Sequence, residues 1–315
     1  MRFALATLEH GGRGRAALKL GDRYWLIAEA AASQGLTGLD GDLMSCLRSW
    51  EECFATLSTL AVSCAAGKVS DALAIAASKA RFQTPLQYPS KILCAGANYY
   101  DHVAEMGALF NKKPGDQVFF FLKAPTTTLV GPGKTAVMPV DSTMVDWEIE
   151  LAAIIGKRSR HVPVEKAMDC VAGYAVSVDI SARDLLMVPD PAAVFPFNFV
   201  QGKSQDAANP LGPDLVPAAF VDDPMNLVMT LSVNGQVKQR ASTKGMIFNI
   251  AEQVASASRY MTLEPGDILM TGTCAGVGFP HRDFLKEGDK VVATIEQIGT
   301  LAFEMLPMAC SQAVS

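Results

Sequence analysis

The chain has 315 residues, half of them hydrophobic and 19% charged, with 27 Lys+Arg against 32 Asp+Glu and a net charge of −5. This composition excludes a largely disordered chain, and the mild acidity lacks the clustered basic charge of a nucleic-acid footprint. The longest apolar runs, Val118–Leu122 and Leu151–Ile155 among them, fall far short of the about 18 residues of a membrane span.

The N-terminal 85 residues read as a small α+β unit. Phe3-Ala4-Leu5 opens a strand, and Arg15–Leu20 and Arg23–Ile27 flank a Gly21-Asp22 turn as a hairpin. The opening Met1–Leu8 stretch is too short for the apolar core of a secretory signal. Residues 42–66 contain no Gly or Pro, and Leu43, Leu47, Trp50, Phe54, Leu57 and Leu60 recur at helical steps, which predicts one amphipathic helix. An Ala-rich second helix is expected over 69–80, followed by a linker at Thr84–Pro89.

From Lys91 the pattern becomes β-rich. Lys91–Ala95, Val118–Leu122, Met144–Ile155 and Val171–Ile180 are predicted strands, and a short helix is expected over 101–109. Leu227–Val233 and Gln236–Gln239 form a hairpin about Asn234-Gly235. A helix covers about 246–259, and Pro265-Gly266-Asp267 and Glu287-Gly288-Asp289 introduce strands at Ile268–Thr271 and Lys290–Gln297. The fold class is therefore α+β and β-dominated, with a small unit at 1–85 and a larger one at 90–310. The seven cysteines (46, 53, 64, 94, 170, 274 and 310) form no CxxC pair, which fits thiols in a reducing cytoplasm.

Acidic residues carry the chemical signal. The two-residue period of a strand puts Asp146, Glu148 and Glu150 on one face of Met144–Ile155, which by itself fits a solvated acidic face. Asp179, however, sits within the apolar run Tyr174–Ile180, where an ionised carboxylate needs a partner. Arg183 could supply one as a salt bridge. Alternatively, three carboxylates from two strands make a hard-oxygen site for Mg²⁺, Mn²⁺ or Ca²⁺, and the absence of an adjacent His or Cys disfavours zinc.

His102 and Glu105 share a helix face at i and i+3, either as a surface ion pair or as a dyad able to deprotonate water. Lys123 and Lys203 could each hold a substrate carboxylate or an oxyanion, or simply snorkel. Two motifs fail. Gly131–Thr135 lacks the first glycine of a phosphate loop, where Thr128 stands, and Gly272–Gly278 has the wrong spacing for a dinucleotide fingerprint.

Taken in order, Ala95-Gly-Ala-Asn-Tyr-Tyr-Asp-His102-Val-Ala-Glu105, Phe121-Leu-Lys123, Asp146-Trp-Glu148-Ile-Glu150-Leu, Gly173–Asp184, Gly202-Lys203-Ser204, Pro210–Pro213, Val233-Asn-Gly235, Met246-Ile-Phe248 and Thr271-Gly-Thr273 resemble the fumarylacetoacetate hydrolase family over about 94–300. The resemblance implies a mixed β-roll, a homodimer, and Mg²⁺ or Mn²⁺ held by Glu148, Glu150 and Asp179. It makes His102 and Glu105 the catalytic dyad on a short lid helix. Lys203 joins them as a catalytic cation, while Lys123, Arg183 and Thr273 contact substrate and Arg183 also orients the acids. The substrate would be a small 2-oxo acid, with no nucleic-acid or membrane partner. Hydrolysis of a carbon–carbon bond in a 2,4-dioxo acid is the expected reaction. Decarboxylation or isomerisation on the same scaffold, and non-catalytic binding of metal and dicarboxylate, are the alternatives. Lys123-Ala124-Pro125, Thr271-Gly-Thr-Cys274 and the Pro- and Phe-rich 187–200 segment depart from the family pattern; the last is expected to shape the pocket mouth.

Overall fold

The computed structural model of this chain describes residues 1–307 apart from 40, 134, 189 and 191. Cys310 with the end of the 90–310 unit, Lys134 of the 131–135 stretch, and Pro189 and Pro191 of the 187–200 segment lie outside the described residues.

Among the described residues, strand alternation and glycine turns build two mixed sheets. The larger runs in the order Ala74–Ala76, Arg23–Leu26, Arg13–Leu20, Ala4–His10, Asn209–Pro217, Val171–Val178, Ile149–Ile155, Ile268–Met270, Ile92–Ala95 and Phe120–Lys123. Neighbours along it are antiparallel except Ile268–Met270 and Ile92–Ala95, which run parallel. The smaller runs Gln236–Ser242, Val228–Val233, Lys290–Ile295, Gly299–Leu306 and Thr135–Val137. This is the α+β, β-dominated class expected from the sequence. Leu5 pairs with Leu215, so one sheet passes through both the 1–85 and 90–310 segments.

The central strands are buried along their whole length, and mostly apolar, because both of their faces are covered. Ile149, Leu151, Ala153 and Ile155 pack into one cluster with Leu231, Ala293 and Phe303 of the smaller sheet. Ala152 and Ile154 point the other way, into a cluster with Trp25, Leu57 and Leu60. This double burial drives the core and brings the carboxylates at the strand ends out of water.

Three expected elements differ. The single helix over 42–66 is two helices, Leu43–Arg48 and Trp50–Ala65, broken at Ser49. The helix expected over 69–80 is absent. Instead, Ser70 caps a short 3₁₀ turn at Asp71–Leu73, and Ala74–Ala76 adds to the sheet edge, with Ala76 opposite Arg23. Sheet pairing here overrides the helical propensity of alanine. The long strand from Met144 is interrupted at Trp147 and Glu148, where the Trp147 amide donates to Asp146 Oδ1 at 2.8 Å instead of to a neighbouring strand. The Asn234-Gly235 hairpin turn has positive φ at both residues, as expected for that dipeptide.

Candidate active site

Register brings the acids together. Ile149 lies opposite Val178, so Glu148 and Asp179 meet just beyond the paired residues, where the Asp179 amide donates to the Glu148 carbonyl at 2.8 Å. Glu150 lies two residues further along, on the same face as Glu148. One oxygen from each of Glu148, Glu150 and Asp179 lies within 4.8 Å of the others, and all three residues are buried. A solvated acidic face is thereby excluded. Asp146 is buried too but turns elsewhere: it accepts from Arg183 and from the amides of Gly278 and Phe279.

Three buried cations surround the acids. Lys203 Nζ donates to Glu148 Oε2 at 2.7 Å and Asp179 Oδ2 at 2.9 Å. Lys123 Nζ donates to Asp179 Oδ1 at 2.5 Å and to the Ala208 carbonyl at 2.8 Å. Arg183 bonds Asp146 Oδ2 at 2.9 Å and Glu148 Oε1 at 2.6 Å. The Asp179–Arg183 salt bridge considered from sequence is thus replaced: lysines hold both Asp179 oxygens, and Arg183 is taken by Asp146 and Glu148.

Charge separates the carboxylates. Burial alone would raise Glu148, but Lys203 and Arg183 outweigh it and hold its carboxyl at about 2. Burial pushes Glu150 well above the usual carboxylate range, and the charges of Asp179 and Glu148 push it further. Glu150 Oε2 accepts the Gly272 amide at 2.7 Å, a dipole where its neighbours have full cations. A divalent cation relieves that imbalance, and three buried carboxylate oxygens are the hard donor set that Mg²⁺ or Mn²⁺ takes. Burial also opposes the Lys203 charge, yet Asp179 and Glu148 raise its pKa to about 12, so it stays an ammonium.

The helix carrying the dyad spans Tyr100–Glu105 and ends before Gly107, which has positive φ. His102 Nδ1 lies 2.8 Å from Glu105 Oε1. Because a carboxylate only accepts, Nδ1 carries the proton and Nε2 is the ring nitrogen left for a water or substrate. The glycine-rich turn that fails as a nucleotide fingerprint serves this site. Gly272, Gly276 and Gly278 donate their amides to Glu150, Glu105 and Asp146 respectively. Gly272 and Gly276 have φ of +94° and +100°, a region that glycine enters without strain. The Trp147 indole locks the same turn by donating to the Gly276 carbonyl at 3.0 Å.

His102, Glu148, Glu150, Asp179, Arg183, Lys203 and Thr273 line one cavity of about 270 Å³. Lys123 is not among the residues lining it; its ammonium is wholly buried behind Asp179, whose carboxylate it holds. The Thr273 hydroxyl donates to the Ile149 carbonyl at 2.8 Å and accepts from Gln239 at 2.9 Å, which fixes the cavity wall. Lys203 ends the short helix Phe199–Lys203, capped by Asn198. Leu186, just before the Pro- and Phe-rich segment, and Phe199, within it, form part of the wall.

Sequence reasoning missed Asn98 and Gln239. The Asn98 amide ties Phe248 to Thr271, and Gln239 reaches Thr273 and the Cys274 carbonyl; both are buried and neither lies in a charged pattern that would single it out.

A family model described as "Fumarylacetoacetate (FAA) hydrolase C-terminal" matches residues 91–305. The chain is 38% identical over 226 residues to "Oxaloacetate tautomerase Fahd2a, mitochondrial" of Rattus norvegicus, an alignment covering 71% of this chain and 69% of that protein. Among solved structures it is similar to maleylpyruvate hydrolase from Sphingobium sp. SYK-6 in complex with manganese(II) ion and pyruvate. The identity is 30% and the TM-score 0.74, over 96% of this chain and 99% of that one. Fumarylpyruvate hydrolase from Pseudomonas aeruginosa in complex with Mn²⁺ and pyruvate gives 32% identity and a TM-score of 0.63, over 71% and 91% of the two chains.

Proposed function

The chain belongs to the fumarylacetoacetate hydrolase family, and on that premise we propose that it hydrolyses the C3–C4 bond of a 2,4-dioxo acid of the acylpyruvate class, giving pyruvate and a carboxylic acid. The observation that carries the reading is the 2.8 Å contact between His102 Nδ1 and Glu105 on the wall of the same cavity as the acid triad. Hydrolysis needs an activated water, and an imidazole oriented by a carboxylate supplies the base.

Glu148, Glu150 and Asp179 would hold Mg²⁺ or Mn²⁺, which when bound supplies Lewis-acid polarisation of the substrate's oxo group. His102 Nε2 takes a proton from water as the water oxygen adds to C4. Glu105, an anion 2.8 Å from Nδ1, stabilises the imidazolium that results. Lys203 is a permanent cation at the cavity wall and lies within reach of negative charge developing on the C4 oxygen. As the C3–C4 bond breaks, the bond pair stays on C3, and His102 returns its proton there. Arg183 and Lys123 do not touch the reacting atoms; they fix Glu148 and Asp179. We further propose a cytoplasmic homodimer.

A second reading is keto–enol exchange of a 2-oxo diacid. The 38% identity to a protein named oxaloacetate tautomerase favours it, and it needs a proton shuttle but no attacking water. The two separate on products. With Mn²⁺ and an acylpyruvate, equimolar pyruvate and carboxylic acid support hydrolysis. Enol-to-ketone conversion of oxaloacetate with no cleavage of any acylpyruvate overturns it.

A further inference from the structure

We infer that the acyl end of the substrate is uncharged and apolar, so that the preferred 2,4-dioxo acid carries one carboxylate, not two; this rests on the proposed function of the cavity. The inference comes from how charge is distributed around the wall. Its permanent cations among the described residues, Arg183 and Lys203, are both bonded to the acid cluster. Arg183 is taken up by Asp146 and Glu148, and Lys203 by Glu148 and Asp179 beside the C4 oxygen, so neither is left to pair with a carboxylate at the far end of the acyl group. The rest of the wall is mainly apolar: Gly96, Met106, Phe119, Phe121, Leu186 and Phe199.

The aromatic residues form one continuous surface. Phe121 stacks on Phe199 with ring centres 4.9 Å apart and planes at 25°, and Phe119 meets Phe199 at 5.6 Å. Gly96 makes room for this surface, because a Cβ there would lie 2.7 Å from the Phe119 ring. An alkyl or aryl group laid on these rings buries apolar area. A second carboxylate placed there would lose water, and the cation beside these rings, Lys203 at 5.6 Å from the Phe121 ring centre, is already bonded to Glu148 and Asp179.

The test is binding to the Mn²⁺-loaded full chain, read by calorimetry at physiological salt. The probes are 2-oxohexanoate and 2-oxoadipate, which differ only in a terminal methyl against a carboxylate. The monoacid is expected to bind at least about tenfold tighter. Phe119, 56% exposed at the rim, provides a variant pair that leaves the core untouched. Phe119→Leu should keep the preference, and Phe119→Arg should reduce or reverse it. Equal or tighter binding of 2-oxoadipate to the unaltered protein overturns the inference, as does failure of both probes to bind. Preference for the monoacid without hydrolysis of any acylpyruvate would instead overturn the proposed reaction and leave this inference standing.

Discussion

The Gly276 amide donates to Glu105 Oε2 at 2.8 Å, which pins the second member of the dyad to a turn outside its own helix. Glu105 thus bridges the imidazole and the glycine-rich turn, and the end of the short Tyr100–Glu105 helix is tied to the turn that also holds Glu150 and Asp146. His102→Ala should lower kcat by about 10²–10⁴. Glu105→Gln should also reduce turnover strongly, because the amide can hydrogen-bond the ring without stabilising its charged form. Both should bind Mn²⁺ within a few-fold of the unaltered protein, as measured by calorimetry. Matching losses of metal would refute the division of roles.

The two ends of the triad should respond differently to the same chemical change. Glu150 takes a backbone amide, so Glu150→Gln removes a metal ligand while leaving the neighbouring cations paired. It should abolish Mn²⁺ binding and activity with little change in the denaturation midpoint. Glu148→Gln instead deprives Arg183 and Lys203 of a shared anion and should unfold at distinctly lower urea. Equal stability of the two variants would contradict the charge arrangement described.

Lys123→Met should destabilise the fold by about 3–5 kcal/mol, the usual penalty for stripping one partner from a buried ion pair. Lys123→Met combined with Asp179→Asn should recover part of that loss. Denaturant unfolding of these two variants and of Asp179→Asn alone closes the cycle, and a purely additive result would mean that the 2.5 Å contact with Asp179 contributes nothing.

Burial pushes the Cys64 thiol up to about 11 and the Cys274 thiol up to about 12. At pH 8 the thiolate fraction of Cys274 is then roughly one part in ten thousand. Iodoacetamide should leave both unmodified in the native protein and label both in urea. Peptide mapping decides this, and rapid native labelling at Cys274 would show that the turn opens.

The proposed dimer has an apolar surface to explain. Val194, Phe195, Phe197 and Val200 are all more than half exposed next to the aromatic wall of the cavity. If a second copy covers them, Phe195→Ser together with Phe197→Ser should shift sedimentation towards the monomer. An unchanged distribution would place the interface elsewhere.

Local pattern made much of this site legible. The alternation of Glu148 and Glu150 foretold two acids on one side of the chain, and the spacing of His102 and Glu105 foretold their contact. What it could not foretell was the assignment of partners. Asp146 has the same sequence periodicity as the metal-site acids, yet the break at Trp147 turns it towards Arg183 and Gly278. Lys123 likewise has partners remote in sequence: its ammonium is buried against Asp179 and the carbonyl of Ala208. The failed 69–80 helix teaches the same lesson: alanine content is local, while the edge offered by Arg23–Leu26 is not.

The strand that begins at Ala4 is stitched to Asn209–Pro217, and Asp214 within that ladder is gripped by Lys19 at 2.5 Å and Tyr24 at 3.0 Å. The first 85 residues therefore cannot be exchanged like a cassette. Any replacement must present a matching edge and a cation at the height of Asp214, or the seam that braces the catalytic half comes undone.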